Sequence, residues 1–320
     1  MTKISDIIKM NPLEPFLRHF GIVLLDGGMA TELERKSADL NDPLWSAKIL
    51  IESPELIRQV HLEYLFAGAD IISSASYQAT FEGFERRGMS RAAAKELMQL
   101  SVQLACEARD EFWSQAEYRP GRLRPLVAAS IGPYGAFLAD GSEYRGDYGL
   151  ADGALMDFHR SRMEVLVNSG ADLLAFETVP CLEEGRALAE LLREFPGTYA
   201  WLSFSCRDEK SLHHGEPIEA AIDLANETSQ IIAVGVNCTP PNFITGLLAR
   251  AVRITQKPLV AYPNSGETWD ANRKCWLPAS GASDWPSLAI DWHKAGAKLI
   301  GGCCRTTPMD IHRLRKLVLG

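Results

Sequence analysis

Short apolar runs without strict alternation recur along the chain between longer amphipathic segments. Such runs are typical of strands that are buried on both faces of a parallel sheet, and the segments between them, such as LEEGRALAELLREF, have helical periodicity. Eight strand–helix units predict a (β/α)₈ barrel, the TIM-barrel fold, with residues 1–320 as a single domain. The eight predicted strands are 22–28, 69–77, 126–132, 171–179, 198–205, 231–238, 258–266 and 297–304.

A local repeat supports the barrel. AGADII at 67–72, SGADLL at 169–174 and AGAKLI at 295–300 each place a glycine where a helix should stop, just before a strand. A doubly wound open sheet is the alternative, and it leads one to expect a glycine-rich nucleotide loop after the first strand. The sequence there, LLDGGMATELE, contains no G-x-G-x-x-G motif, so the barrel is favoured.

Composition narrows the class of function. The chain has 320 residues, of which 46% are hydrophobic and 23% charged, as in ordinary globular proteins. The net charge is -8 and the 33 Lys and Arg residues are scattered, which argues against a nucleic-acid partner. The first twenty residues carry charges and a proline where a secretory signal needs an apolar core, and no run is long enough for a membrane span. We therefore expect a cytoplasmic protein that acts on small molecules. Composition does not fix its oligomeric state, and a monomer is one option.

In a (β/α)₈ barrel the chemistry lies at the C-terminal ends of the strands. Polar and thiol side chains are concentrated at those ends of the predicted strands. They are Asp26, Ser74, Ser76, Tyr77, Gln78, Glu177, Thr178, Asn237, Cys238, Asn264, Cys303 and Cys304.

Three thiols at this rim predict a metal site. Seven cysteines are an odd number, so a disulfide framework is not expected. Cys238 ends the sixth predicted strand, and Cys303 and Cys304 end the eighth. Three thiolates with an open fourth position are the ligand set of a catalytic zinc site. We expect Gly301 and Gly302 to free the backbone so that both neighbouring thiols face one ion.

The alternative for a single cysteine is a small buried hydrophobe, which is what we expect of Cys106 on its predicted helix. Cys181, Cys206 and Cys275 have no partner that the sequence identifies.

Six segments resemble motifs of the homocysteine S-methyltransferase family: LLDGGMATEL, SSASYQAT, ETVP, GVNC, YPNSGE and LIGGCCRTTP. The resemblance covers nearly the whole chain, and DGG departs slightly from the commoner DGA. It implies a (β/α)₈ barrel that binds zinc through Cys238, Cys303 and Cys304. Cobalamin-dependent members carry large additional modules and betaine-using members a C-terminal extension. The chain therefore resembles the short type, which uses S-methylmethionine.

The chemistry of sulfur agrees with that resemblance. A free thiol with a pKa near about 8.5 is mostly protonated at neutral pH, whereas the thiolate is the nucleophile. Zinc removes that proton and fixes the sulfur for attack on a methyl carbon. Three thiolate ligands also keep the bound substrate sulfur electron-rich, which suits alkyl transfer better than hydrolysis. We predict methyl transfer from S-methylmethionine to L-homocysteine, which gives methionine.

The amino-acid part of the thiol substrate needs anchors. Asp26 and Glu177 are the carboxylates available for its ammonium, with a helix N-cap and a solvated turn as their alternative roles. Its carboxylate could be held by the backbone of Gly27 and Gly28, or by Ser74 or Ser76. Tyr77, Asn237, Asn264 and Tyr134 complete the expected substrate-binding residues.

The loop after the third predicted strand, residues 132–149, is the expected donor site. A sulfonium cation is attracted to aromatic faces and carboxylates, and this loop interleaves both. The residues are Tyr134, Phe137, Tyr144 and Tyr148 with Asp140, Glu143 and Asp147. The alternative is a self-packed surface loop, in which case the donor pocket lies around Trp45, Tyr77 and Phe176.

Other functions remain open at this point. Within the same chemistry, the donor could be S-adenosylmethionine or betaine, and the acceptor selenohomocysteine or another thiol. A zinc-dependent lyase or hydrolase would favour His or carboxylate ligands, which this rim barely provides. A protein that only stores or senses zinc would not explain an open coordination position beside two carboxylates.

Overall fold

The computed structural model describes residues 10–150, 153–270, 275–277 and 284–320, and its main sheet has eight parallel strands. A two-stranded antiparallel hairpin, β8 (Thr268–Asp270) and β9 (Cys275–Leu277), lies between the seventh and eighth of these strands in the chain. The eight are β1 (Val23–Leu24), β2 (Ile71–Ser73), β3 (Leu126–Ile131), β4 (Leu173–Val179), β5 (Ala200–Phe204), β6 (Ile231–Asn237), β7 (Leu259–Tyr262) and β10 (Ala297–Ile300).

The sheet closes on itself. Its order is β1-β10-β7-β6-β5-β4-β3-β2, and a parallel bridge between Leu25 and Ile71 joins the two ends. The predicted (β/α)₈ barrel is confirmed. The first and eighth strands are shorter than predicted and end at Leu24 and Ile300, so Asp26 and the cysteine pair lie in the loops beyond them.

Helices alternate with the strands. α13 begins at a capping box in which Thr307 and Asp310 bond reciprocally, and the glycines of the predicted repeat, Gly68, Gly170 and Gly296, have φ values of 119°, 94° and 111°. None of the helices in the described ranges is long and apolar enough to cross a bilayer. The helices are α1 (Glu14–Phe20), α2 (Met29–Arg35), α3 (Ser46–Glu52), α4 (Pro54–Ala67), α5 (Phe81–Arg86), α6 (Arg91–Ser114), α7 (Tyr134–Leu138), α8 (Ala154–Val167), α9 (Leu182–Leu192), α10 (Ile218–Asn226), α11 (Pro241–Ala251), α12 (Trp285–Lys294) and α13 (Pro308–Leu319).

The interior of the barrel is filled by side chains. Trp201, Val260 and Leu299 are buried there. They form one cluster with Phe16 of α1 and with Leu13, the residue before that helix. A second, larger cluster packs the outer face of the sheet against the helices. Because the interior is packed, room for a ligand exists at the rim formed by the C-terminal ends of the strands.

A buried ion-pair network secures the opposite, N-terminal end. Asp70 is fully buried, and one of its oxygens accepts a hydrogen bond from the Leu24 amide at 3.0 Å. Arg315 of α13 donates to the other oxygen at 3.2 Å, and Arg122 lies 3.6 Å from it. Burial raises the pKa of Asp70, against the opposing effect of both arginines. The carboxylate thus ties β1, β2 and α13 together.

We predict that Asp70→Asn lowers the free energy of unfolding by about 3 kcal/mol or more, because it leaves two arginines without their shared partner. Denaturant unfolding followed by circular dichroism measures this. The matched control is Asp110→Asn, since Asp110 pairs with Arg124 and Arg109 but is 55% exposed, and Arg109 keeps Asp172 as a second partner; its change should stay within about 1 kcal/mol. Equal effects of the two substitutions would contradict a special role for the buried network. The folded Asp70 variant should keep its activity, because the rim lies at the other end.

Candidate active site

Three thiols meet at the rim. The sulfur atoms of Cys238, Cys303 and Cys304 all lie within 4.8 Å of one another, and those of Cys238 and Cys304 are 3.6 Å apart. A tetrahedral zinc ion with bonds of about 2.3 Å holds its sulfurs roughly 3.8 Å apart, so the three thiols fit such an ion with small adjustments. The structure thus brings together all three predicted ligands. Cys106, Cys181 and Cys206 are also free thiols, as expected, and stand outside this group.

The backbone that presents these thiols differs from expectation. Cys238 itself has a positive φ of 47°, whereas neither Gly301 nor Gly302 is in that region. A Cβ at Gly301 would lie 2.5 Å from the Leu25 Cβ, and one at Gly302 would lie 2.2 Å from the Thr306 Oγ1. The two glycines therefore allow a close approach of chain segments. Both neighbouring thiols do face one point, and the glycines contribute by their lack of a side chain rather than by a left-handed φ.

The thiols share their protons. Hydrogen bonds from Cys303 and Cys304 lower the pKa of Cys238, while the same contacts raise the pKa values of Cys303 and Cys304. The Tyr144 hydroxyl, 3.2 Å from the Cys238 sulfur, stabilises the same thiolate. One negative charge is thus favoured and further ones are opposed. A dication is the group that allows all three to ionise together, which is the chemical fit of this set to zinc.

Two carboxylates without a counter-ion face the same cavity. Asp26 accepts a hydrogen bond from the Ser73 amide at 2.7 Å, and burial, aided by the charge of Glu177, raises the pKa of Asp26 well above its ordinary value. Glu177 accepts hydrogen bonds from Ser130 and, at 3.0 Å, from Tyr262, and burial raises its pKa to about 7. Within the described part of the chain neither carboxylate has an ion-pair partner. The pair is therefore a ready site for a cationic group.

The alternative roles of these carboxylates are excluded by their positions. Gly28, not Asp26, is the N-cap residue of α2, and no side chain caps that helix. Glu177 lies within β4 rather than in a solvated turn.

Two other predicted substrate residues, Asn237 and Asn264, make hydrogen bonds to other protein groups. Asn237 accepts hydrogen bonds from the Thr178 amide and the Ser203 hydroxyl, at 2.7 and 2.9 Å. Its amide nitrogen donates to the Thr178 hydroxyl at 2.8 Å and lies 3.8 Å from the Cys303 sulfur. The Asn264 side chain donates to the Cys238 carbonyl at 3.4 Å. These two amides are thus committed to other protein groups, and they position the ligands and the strand ends.

The predicted carboxylate anchors are similarly engaged. The Ser74 and Ser76 hydroxyls are 2.7 Å apart, and Ser76 donates to the Ser130 carbonyl, so that of the two only Ser74 lines the cavity. Gly27 and Gly28 both line it, but the Gly28 amide already donates to the Thr306 hydroxyl at 3.2 Å. Gly27 and Ser74 remain as predicted contacts for a substrate carboxylate.

The cavity above the thiols has a volume of about 710 Å³. Its aromatic wall includes Trp45 and Tyr77, whose rings meet edge to face at 6.4 Å, and Tyr144; Phe137 and Tyr262 also line the cavity. Tyr134 and Tyr148 are outside the lining, because their rings pack against each other at 5.3 Å. The aromatic wall therefore combines Tyr144 of the loop 132–149 with Trp45 and Tyr77, two of the residues expected around the alternative donor pocket. Phe176 belongs to the core and is fully buried.

A buried network that the sequence analysis missed anchors this loop. Glu184 of α9 accepts hydrogen bonds from the Tyr134 amide at 2.5 Å, the His159 ring at 2.8 Å and the Tyr148 hydroxyl at 2.8 Å. Arg162 donates to the other ring nitrogen of His159 and to the Gly132 carbonyl. Burial lowers the pKa of His159 to about 4, so the ring is neutral. The sequence signal for this network is the presence of His159, Arg162 and Glu184 at buried positions of α8 and α9.

The fold and the cavity define a (β/α)₈-barrel enzyme in which three thiols lie beside two carboxylates that no described cation pairs with. Comparison with known proteins gives the family. The family model for homocysteine S-methyltransferase matches residues 23–318, and the chain belongs to that family.

Relatives extend over nearly the full chain. Homocysteine S-methyltransferase YbgG of Bacillus subtilis is 53% identical over 95% of this chain and 97% of its own. Selenocysteine Se-methyltransferase of Brassica oleracea var. italica is 50% identical over 92% of this chain and 88% of its own. The crystal structure of the homocysteine methyltransferase MmuM from Escherichia coli, in its metallated form, superposes with a TM-score of 0.87 at 46% identity, covering 96% of this chain and 100% of that one.

The neutral His159 predicts a specific pH dependence of stability. Its pKa in the folded protein, about 4, lies below the unfolded value of about 6.5. The unfolded chain therefore binds the extra proton, and stability is lost as the pH falls from about 6.5 towards 4, by up to about 1.4 kcal/mol per pH unit. Urea unfolding of the wild type and of His159→Gln across this range measures it.

The comparison should show a steeper decline in the wild type than in the variant. The buried carboxylates, whose pKa values are raised, act in the opposite direction, but they are present in both proteins and cancel in the difference. Parallel pH profiles would contradict the assignment of a neutral, buried His159.

Proposed function

We propose that the protein is a zinc-dependent methyltransferase that moves a methyl group from S-methylmethionine to the thiol of L-homocysteine, giving methionine. The observation that carries this proposal is the convergence of three thiols in one cavity with the unpaired Asp26 and Glu177. Membership of the family and the metallated form of the Escherichia coli relative support it.

Cys238, Cys303 and Cys304 are the residues that would hold the zinc ion. Three protein ligands leave one position for substrate, in contrast to the four of a structural site. When bound there, zinc supplies the Lewis acidity that converts a substrate thiol into a thiolate at neutral pH. The protein contributes the arrangement of the thiols, through Asn237 beside Cys303 and Asn264 on the Cys238 carbonyl.

Asp26 and Glu177 orient the thiol substrate. An ammonium between them would donate charge-assisted hydrogen bonds to both carboxylates and relieve their mutual repulsion. Each carboxylate is fixed from behind, Asp26 by the Ser73 amide and Glu177 by Ser130 and Tyr262. Binding energy from the amino group is thereby used to place the sulfur at the thiol cluster, where it can attack a methyl carbon in line.

The donor side of the cavity suits a sulfonium. The aromatic faces of Trp45, Tyr77 and Tyr144 attract a cation, and a sulfonium becomes a neutral thioether once its methyl group is transferred. No proton needs to move at the leaving group. A panel of S-methylmethionine, S-adenosylmethionine and betaine, assayed with zinc-loaded protein and homocysteine, tests the donor. Preference for either of the other donors would contradict this part of the proposal.

A selenol is the second candidate acceptor. The relative from Brassica oleracea, a selenocysteine Se-methyltransferase, is 50% identical to the chain, the same identity as two of the homocysteine S-methyltransferases. Competition between homocysteine and selenocysteine for a limiting amount of donor distinguishes the two acceptors.

We predict that the purified protein contains about one zinc ion per chain and that Ala in place of any one of the three cysteines removes both zinc and activity. The folding transition should largely persist, because the barrel core does not depend on the rim. Elemental analysis with thermal melts checks this. Cys106→Ala is the matched control. It should keep both zinc and activity, since Cys106 lies on α6, apart from the thiol cluster. Full activity after exhaustive chelation would refute the role of the metal.

Asp26→Asn and Glu177→Gln should each raise the KM for homocysteine by at least about tenfold, because a charge-assisted hydrogen bond to the ammonium is weakened. The informative comparison is 4-mercaptobutyrate, which lacks the amino group. The wild type should discriminate against it strongly and the variants much less. If wild type and variants discriminate equally, the carboxylates serve the fold rather than the substrate.

A further inference from the structure

A third carboxylate faces the cavity without a partner side chain. Of the three acidic residues in the loop 132–149, Asp140 and Asp147 are 56% and 64% exposed and lie 3.8 and 3.3 Å from Arg145. Glu143 is turned the other way. It lines the cavity, and its Oε2 is buried with no hydrogen-bond partner, nor does any described cation pair with it.

Close backbone packing fixes the turn that carries Glu143. A Cβ at Gly135 would lie 2.3 Å from the Glu143 amide nitrogen, so the turn that carries Glu143 packs directly on α7. Glu184 holds the start of α7 through the Tyr134 amide, and the Ser205 hydroxyl contacts the Glu143 carbonyl at 3.5 Å. The orientation therefore does not arise from a free side chain that happens to fold back.

Keeping a buried carboxylate there without a neighbouring donor side chain is costly for the folded protein. Burial raises the pKa of Glu143 to about 7, and the charge of Cys238 adds to the shift, against the smaller effects of a hydrogen bond from its own backbone and of Arg145. A buried charge without a partner opposes folding, and glutamine would fit the same space without that penalty. Charged residues that destabilise a fold in this way are expected where a ligand supplies the missing charge.

The position of Glu143 indicates which ligand. Its neighbour Tyr144 contacts the Cys238 sulfur at 3.2 Å. The negative charge of Glu143 also adds to the raised pKa of the buried Tyr77, which belongs to the aromatic wall. Glu143 thus belongs to the aromatic side of the thiol cluster. The proposed ammonium site of the thiol substrate, formed by Asp26 and Glu177, has its own hydrogen-bonding groups on β2, β3 and β7.

We propose that Glu143 binds a positive group of the methyl donor and makes the site selective for cationic amino-acid donors. This inference rests on the proposed sulfonium donor. S-methylmethionine carries two positive groups, the sulfonium and the α-ammonium, and either could be the charge partner of the Glu143 carboxylate. The ligand, in chemical terms, is a small organic cation presented between the aromatic wall and the thiols.

Direct binding to the full-length, zinc-loaded protein tests this without turnover, since no thiol substrate is added. Three ligands are titrated calorimetrically: S-methylmethionine, methionine with its neutral thioether, and 3-(dimethylsulfonio)propionate, which lacks the ammonium. Glu143→Gln should weaken S-methylmethionine binding at least about tenfold. Asp147→Asn, the matched control on the exposed side of the same loop, should change it by less than about twofold.

The other two ligands identify the group. Loss of methionine binding to the same extent assigns Glu143 to the ammonium, and loss confined to the two sulfonium compounds assigns it to the sulfonium. In steady-state assays the variant should lower kcat/KM for the donor with the KM for homocysteine unchanged. The melting temperature of Glu143→Gln should equal or exceed that of the wild type, which separates ligand binding from a structural role.

Unchanged binding of all three ligands by Glu143→Gln would overturn the inference, as would a variant that loses stability and donor binding together. Failure of the proposed donor is visible separately. In that case the wild type neither binds nor uses S-methylmethionine, and the inference falls with it.

Discussion

One buried amide connects the parts of the site. The side chain of Asn237, at the end of β6, bonds to the backbone and hydroxyl of Thr178 on β4 and to Ser203 on β5, and it lies against the Cys303 sulfur beyond β10. Asn237 and its three partner residues belong to four different strand–loop units. Because an amide offers donors at one end and an acceptor at the other, a single side chain fixes the relative position of units that carry the carboxylate and the thiols.

The cavity is short of positive charge. Asp26, Glu177 and Glu143 have raised pKa values, and within the thiol cluster the first ionisation opposes the next. A nearby cation favours the ionised form of these carboxylates and of the second and third thiols. A metal dication, an ammonium and a sulfonium would together supply that positive charge, in the same places where the proposed ligands are positive.

The sequence predicts the parts of this protein that rest on periodicity and strand position. Eight apolar runs gave the barrel, and the rule that strand ends converge brought Cys238 to Cys303 and Cys304. Three further features depend on contacts that no linear pattern contains. These are the close approach of Gly301 to Leu25, the inward turn of Glu143, and the removal of Tyr134 from the cavity by packing against Tyr148.

Thr178 and Cys238 have positive φ values of 61° and 47°, a region that favours glycine and is costly for a branched or bulky side chain. Glycine would relieve the backbone strain at either position, but it would also remove a group of the rim: the Thr178 hydroxyl, which accepts a hydrogen bond from Asn237, or the Cys238 thiol. Selection for durability and selection for activity therefore pull this protein in different directions at the same two positions. Libraries built to improve its shelf life are best designed with those codons held fixed.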